Sequence, residues 1–172
     1  MSATPGKTRM LNVFQVTIGS REPGAVRSVQ TGTPDPGSVR LPAPGALYLL
    51  DLPGYGYARA SHTDRQGFRS LVEGTLHRPS LAGVVWLLDL RHDLSADDRA
   101  IRDLLSGLGV RTLAALTKGD KLPRNAAAKR EAELAVELEL DDDQLLVTSA
   151  KTGSGVAELR EAITALIRKA AG

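Results

Sequence analysis

The sequence predicts an α/β protein with a mostly parallel sheet flanked by helices. Three observations carry that expectation. The runs Ala46 to Leu50, Gly83 to Leu88 and Val110 to Leu116 are almost wholly apolar, which suits strands buried on both faces. Each run gives way to polar residues: Asp51, Asp89, and Thr117 through Asp120. Stretches of helical period alternate with the runs over the second half of the chain.

Composition bounds the rest. With 172 residues the chain is long enough for one domain with a sizeable core, and residues 1–172 are read as a single domain. Hydrophobic residues at 42% and charged ones at 24% fit a soluble globular protein. A net charge of +2 does not by itself imply nucleic acid, and no DNA partner is expected, although a pI near 9.1 allows a local basic patch. The absence of cysteine excludes a disulfide framework and a thiolate metal site. No apolar run approaches the roughly 20 residues of a membrane span, and no signal-peptide core is seen, so no membrane partner and a cytoplasmic location are expected. Aromatic residues at 3% argue against a base-stacking platform for single-stranded nucleic acid.

Each element can be justified in order. Leu11 to Ile18 alternates apolar and polar side chains, the pattern of an edge strand. Residues 19–45 hold five of the nine prolines and five glycines without apolar period, and read as a flexible Pro/Gly-rich insertion joining a hairpin. After the Ala46 to Leu50 strand, Pro53, Gly54 and Gly56 forbid an immediate helix. A helix is predicted from about Arg65 to His77, with Phe68, Leu71, Val72 and Leu76 inward and Pro79 as its stop. Gly83 to Asp89 is a fully buried strand with Trp86 in the core. Ser95 with Asp98 forms a capping box, Ile101, Leu104, Leu105 and Leu108 give the next helix its buried face, and Gly107 and Gly109 end it. A third strand covers Val110 to Leu116. Pro123 to Glu139 is a helix on composition alone. Asp141 to Asp143 is a solvated turn, lacking calcium-loop spacing. Gln144 to Ser149 is the last strand, and the final helix runs to Ala165 or beyond with Val156, Leu159, Ile163, Leu166 and Ile167 inward.

Three strand ends follow one another: Asp51-Leu-Pro-Gly54, Thr117-Lys-Gly-Asp120 and Thr148-Ser-Ala-Lys151. Open α/β sheets bind ligands at that edge. A carboxylate followed three residues later by glycine suits a magnesium-facing Asp51 and a backbone N–H of Gly54 near a terminal phosphate; an ordinary strand-to-loop turn has the same sequence. Asp120 could accept two parallel hydrogen bonds from N1–H and the N2 amine of guanine, a match adenine lacks. The Lys118 stem could cover one face of the base, and the Ala150 N–H could meet guanine O6. Thr-Lys-x-Asp is also an ordinary strand end with a helix cap, so the order of all three segments carries the guanine reading.

The chain resembles the EngB (YihA-like) family of bacterial GTP-binding proteins, in the translation-factor class of P-loop GTPases. The likeness rests on Thr4-Pro-Gly-Lys-Thr8 followed by Leu11-Asn-Val-Phe14, Asp51-Leu-Pro-Gly-Tyr-Gly-Tyr-Ala58, Asp89-Leu-Arg-His92, Thr117 to Asp120 and Ser149-Ala-Lys151. The resemblance implies a G-domain-like fold in which Gly6, Lys7, Thr8, Arg9 and Met10 form switch I, with Thr8 a magnesium ligand. Asp51, Leu52, Pro53 and Gly54 open switch II, with Asp51 the second residue on the metal side. Thr117, Lys118, Gly119 and Asp120 select the base, and Thr148, Ser149 and Ala150 line its edge. It also implies Mg2+ as cofactor, GTP and GDP as ligands, the large ribosomal subunit and its rRNA as partner, and a role in normal cell-division septation.

The departures matter equally. The Gly6-Lys7-Thr8 run lacks the preceding glycine and strand that a phosphate loop needs, and no Gly-x-x-x-x-Gly-Lys-Ser/Thr occurs in the sequence. The expected fold is therefore a G domain lacking its first strand, phosphate loop and first helix. GTP hydrolysis is the family reaction, yet Tyr55 follows Gly54 where many GTPases place a water-orienting glutamine, and no catalytic base can be named. His62, His77 and His92 read as surface or packing residues. Two alternatives stand beside the GTP-binding reading. One is a relative acting without nucleotide as a ribosome- or RNA-binding module through Arg65, Arg69, Arg91 and Arg111. The other, an unrelated α/β enzyme, needs a nucleophile with an adjacent base, and none is found.

Overall fold

The computed structural model describes residues 12–16, 27–30, 47–52 and 70–171. It divides into two compact units, residues 1–79 and 80–172.

In the first unit, β1 (Asn12–Val16) lies between β2 (Arg27–Gln30) and β3 (Leu47–Asp51), antiparallel to both. Three expectations change here. The alternation of β1 predicts an edge strand, but residues 27–30, inside the stretch read as insertion, supply the edge and make β1 central. The apolar run of β3 predicts a parallel strand buried on both faces, yet it pairs antiparallel with β1 and leaves Leu49 50% exposed. An apolar run reports burial in general, and neither direction nor partner is encoded in it. Residues 70–76 form a helix, α1, with Val72 and Leu76 buried as its stripe predicts and Thr75 buried beside them; residues 65–69, with Phe68 of the same stripe, lie outside the described residues. Thr75 satisfies its hydroxyl on the Leu71 carbonyl one turn back, 2.8 Å away.

The second unit is the parallel layer that the sequence predicts. β4 (Val84–Asp89), β5 (Thr112–Thr117) and β6 (Leu145–Val147) pair in that order, all parallel. β5 is central and its residues Thr112 to Leu116 are buried throughout, whereas β4 leaves Leu87 65% exposed on one face. Around this sheet lie α2 (Ala96–Gly107), α3 (Arg124–Leu138), which contacts β6, and α4 (Val156–Ala171), which contacts β5.

The capping box of α2 is formed: Asp98 N–H donates to Ser95 Oγ at 3.0 Å, and Ser95 N–H to Asp98 Oδ2 at 2.7 Å. Leu105 is buried from this helix, while Leu108 forms its C-cap and stands exposed, contrary to its expected place on the inner face. Gly109 follows with φ of 61°, which releases the chain toward β5. Pro123 caps α3, and Glu139 closes it in the left-handed region. Residues 142–144 are one turn of 3-10 helix rather than the start of a strand: Gln144 N–H donates to the Asp141 carbonyl at 2.8 Å, and the Gln144 side-chain amide donates to the Thr112 carbonyl at 3.1 Å. The inward stripe of α4 is half-buried at every predicted position, and Leu166 fills the space beside Gly83, where a Cβ would lie 2.7 Å from its Cδ2. Among the described residues no helix is long and apolar enough to cross a membrane.

Candidate functional site

Two neighbouring strand ends build the site within the second unit. Parallel pairing sets Asp89 opposite Thr117 and Leu116 opposite Val147, so the residues leaving β4, β5 and β6 emerge at one sheet edge. Thr117 Oγ1 donates to the Leu88 carbonyl at 2.9 Å, tying the first loop to β4. Thr148 N–H donates to the Leu116 carbonyl at 2.8 Å, and Gly119 N–H to the Thr148 carbonyl at 3.0 Å, tying it to the loop after β6. Glycine is needed at 119 because a Cβ there would lie 2.6 Å from Val147 Cγ1.

Asp120 is the carboxylate at the centre. Its side chain is 12% exposed and accepts the Ser149 hydroxyl at 2.6 Å. Ser149 is itself buried, and its Oγ also accepts from Thr152 N–H at 3.2 Å. The Ser149 hydrogen bond chiefly holds the Asp120 carboxyl below the usual carboxylate range, opposed by burial and aided by the charges of Lys121 and Lys151. At neutral pH the group is an anion with accepting capacity left over. Next to Ser149, Ala150 is exposed, and its N–H meets no acceptor among the described residues. The turn that presents it closes through Ser149 N–H to the Ser154 carbonyl and Gly153 N–H to the Ser149 carbonyl, both at 2.9 Å. An anionic acceptor and an open amide donor therefore project from adjacent loops.

Sequence reasoning gave no role to Asp89. The structure makes it an ion-pair hub. The Arg91 fork reaches it through Nε at 2.9 Å and a terminal nitrogen at 2.7 Å, Arg91 N–H adds a bond at 3.1 Å, and Lys118 Nζ donates to Oδ2 at 2.8 Å. His92 Nε2 stands 3.7 Å from the same oxygen. Only the place of Asp89 at the end of an apolar run was visible in the sequence; the register that sets it opposite Thr117, the residue before Lys118, comes from the pairing of β4 with β5. Lys118 itself has φ of 64°, a left-handed conformation costing a non-glycine residue roughly 1–2 kcal/mol, which its bond to Asp89 helps to offset.

The Arg91 fork is the main reason the Asp89 carboxyl sits well below its ordinary range; burial works against it and Lys118 adds to it. The pKa is depressed in the folded state, so the pairing contributes stability above the unfolded value of about 4 and loses it as pH falls below that. Asp89→Asn is therefore expected to lower the urea midpoint near pH 7 and to differ less from the parent as pH falls below about 4. A gap that widens toward acid would contradict this assignment.

The remaining sequence candidates lie elsewhere. Asp51 ends β3, opposite Asn12, with half-buried Leu52 after it; both belong to the first unit. Gly6, Lys7, Thr8, Arg9, Met10, Pro53 and Gly54 lie outside the described residues. Of the arginines considered for RNA, Arg91 is engaged by Asp89, Arg111 is exposed, and Arg65 and Arg69 lie outside the described residues.

A parallel α/β layer whose adjacent strand ends carry Thr-Lys-Gly-Asp and Thr-Ser-Ala loops defines a G-domain-like protein. The comparisons agree. A protein of Gemmatimonas aurantiaca described as "Probable GTP-binding protein EngB" is 39% identical over 168 residues, spanning 97% of this chain and 69% of its own length. Proteins of the same description from Symbiobacterium thermophilum and Syntrophomonas wolfei are 37% and 34% identical, over 90% and 96% of this chain and 70% and 72% of theirs. A crystal structure described as a probable GTP-binding protein engB superposes with a TM-score of 0.55 at 20% identity, over 71% of this chain and 77% of that one, a likeness of fold. No protein-family model matches the chain. The chain belongs to the EngB family.

Proposed function

We propose that this protein is a guanine-nucleotide switch of the EngB type, binding GTP and GDP through the loops after β5 and β6. The observation that carries the reading is the Asp120 carboxylate oriented by the Ser149 hydroxyl, with the open Ala150 N–H beside it. Guanine offers two donors to a carboxylate and an acceptor at O6; adenine offers an amine at that position, which faces the Ala150 N–H donor to donor. Relatives described as GTP-binding proteins support the same ligand class.

Among the described residues no three His, Asp or Glu side chains gather as a metal cage. A strand-end carboxylate such as Asp51 suits Mg2+, which keeps several waters and takes ligands from substrate phosphates. Asp51 would hold the ion with Thr8, Gly54 would approach the terminal phosphate, and Gly6 to Met10 would form the first switch. When bound, the ion neutralises phosphate charge. A cytoplasmic role in assembly of the large ribosomal subunit, and a role in normal cell-division septation, complete the reading by family resemblance. The nucleotide-independent RNA module is disfavoured because the Arg91 fork is already engaged by Asp89.

The test is an NMR titration of the purified chain with GDP and with ADP. GDP is expected to shift the amides of Asp120, Ser149 and Ala150, and ADP at equal concentration to shift them far less. Equal responses to both, or none to GDP, would remove the reading.

A further inference from the structure

We propose that Asp89 is a positioning residue for the base-covering lysine, holding the Lys118 ammonium so that its stem lies along the purine site. The assignment rests on the guanine-nucleotide reading above and adds to it a residue outside the base-selecting loops.

The geometry carries it. Asp89 is anchored before Lys118 arrives: three donors from Arg91 fix the carboxylate, occupying Oδ1 twice and Oδ2 once. Lys118 Nζ takes the remaining place on Oδ2 at 2.8 Å. The Asp89 side chain is 20% exposed, whereas that of Lys118 is 52% exposed. A fixed, mostly covered acceptor thus tethers the tip of a side chain whose methylene stem stays open to a ligand. An unheld lysine samples many rotamers, and ordering it when a base arrives weakens binding; a tethered stem has that ordering done in advance. The tether stands beside the selector, since Lys118 and Asp120 belong to the same turn after β5. Asp89 touches no part of the base in this arrangement. Its removal should weaken guanine and adenine nucleotides alike and leave the preference between them to Asp120.

Two measurements on the full chain test this. The first needs no nucleotide: the rate at which an amine-reactive acylating reagent labels Lys118, read by peptide mapping. Asp89→Asn is expected to raise that rate roughly two- to fivefold, the range of a half-exposed ion pair. The second is a cycle of GDP affinities for the parent, Asp89→Asn, Lys118→Met and the double variant. Asp89→Asn should weaken GDP roughly two- to fivefold in the parent and leave affinity unchanged in the Lys118→Met background, with the ratio of GDP to ADP affinity preserved. A general structural role would instead weaken both backgrounds equally. Unchanged labelling, equal losses in both backgrounds, or tighter binding in Asp89→Asn would each overturn the assignment. If the parent itself binds no guanine nucleotide, the functional reading falls and this assignment with it. Binding by the parent with equal losses in the cycle removes this assignment alone.

Discussion

Replacing Asp120 by alanine is expected to weaken GDP binding about a hundredfold or more while leaving the weak response to ADP unchanged. The carboxylate is an anion at neutral pH, and the Ser149 hydroxyl fixes its orientation from one side. Two donors of guanine then face a preorganised acceptor, and each charge-assisted bond contributes roughly 1.5–3 kcal/mol. Alanine removes both bonds and leaves two base donors without partners. Asparagine is more informative. It retains the shape but presents an amide N–H2 where guanine presents its own amine, so GDP should bind poorly, while a xanthine nucleotide, with a carbonyl oxygen there, should gain. Fluorescent-nucleotide competition among GDP, ADP and XDP reads all three. An alanine variant that still prefers GDP over ADP as strongly as the parent would remove Asp120 from the selector.

The second large effect is expected from Gly155→Ala. Gly155 has φ of 72°, and the Val147 carbonyl oxygen occupies the space a Cβ would need, with Thr148 Cα 3.2 Å from that position. Both obstacles are backbone, so neither can swing aside. Strain at the dihedral and the clash together should destabilise the protein by about 3 kcal/mol or more. Gly153→Ala supplies the control: its φ is 78°, but nothing lies within 4 Å of a Cβ, so only the dihedral penalty of roughly 1 kcal/mol remains. Urea midpoints at constant m-value compare the two, and equal shifts would show that the Val147 contact does not matter. Function should follow stability here. Val147 also packs under Gly119, so displacing it disturbs the loop that carries Asp120, and Gly155→Ala should weaken GDP binding further than Gly153→Ala.

Much of the second unit could be read from residues alone, since its signals are local. The Ser95–Asp98 box, the glycines after α2, the apolar run of β5 and the Ala-rich α3 each depend on residues a few positions apart. The first unit was harder to read. A strand such as Arg27–Gln30 is recruited by its partner more than by its own sequence, and a Pro/Gly-rich setting conceals it. The direction of β3 depends on which strand meets it, as does the exposure of Leu49 and Leu87. For the site, the selector loops were recognisable by type and order. Asp89 was not, because its role depends on a register across two strands and on a lysine 29 residues away.

By itself the sequence determined an alternating α/β chain with Asp, Thr-Lys-Gly-Asp and Thr-Ser-Ala at successive strand ends, since periodicity and caps act over a few residues. Tertiary structure alone decided which strands pair, that Ser149 orients Asp120, and that Asp89 tethers Lys118. Those are contacts between residues distant in the chain, and only the closing of the sheet brings them within hydrogen-bond reach.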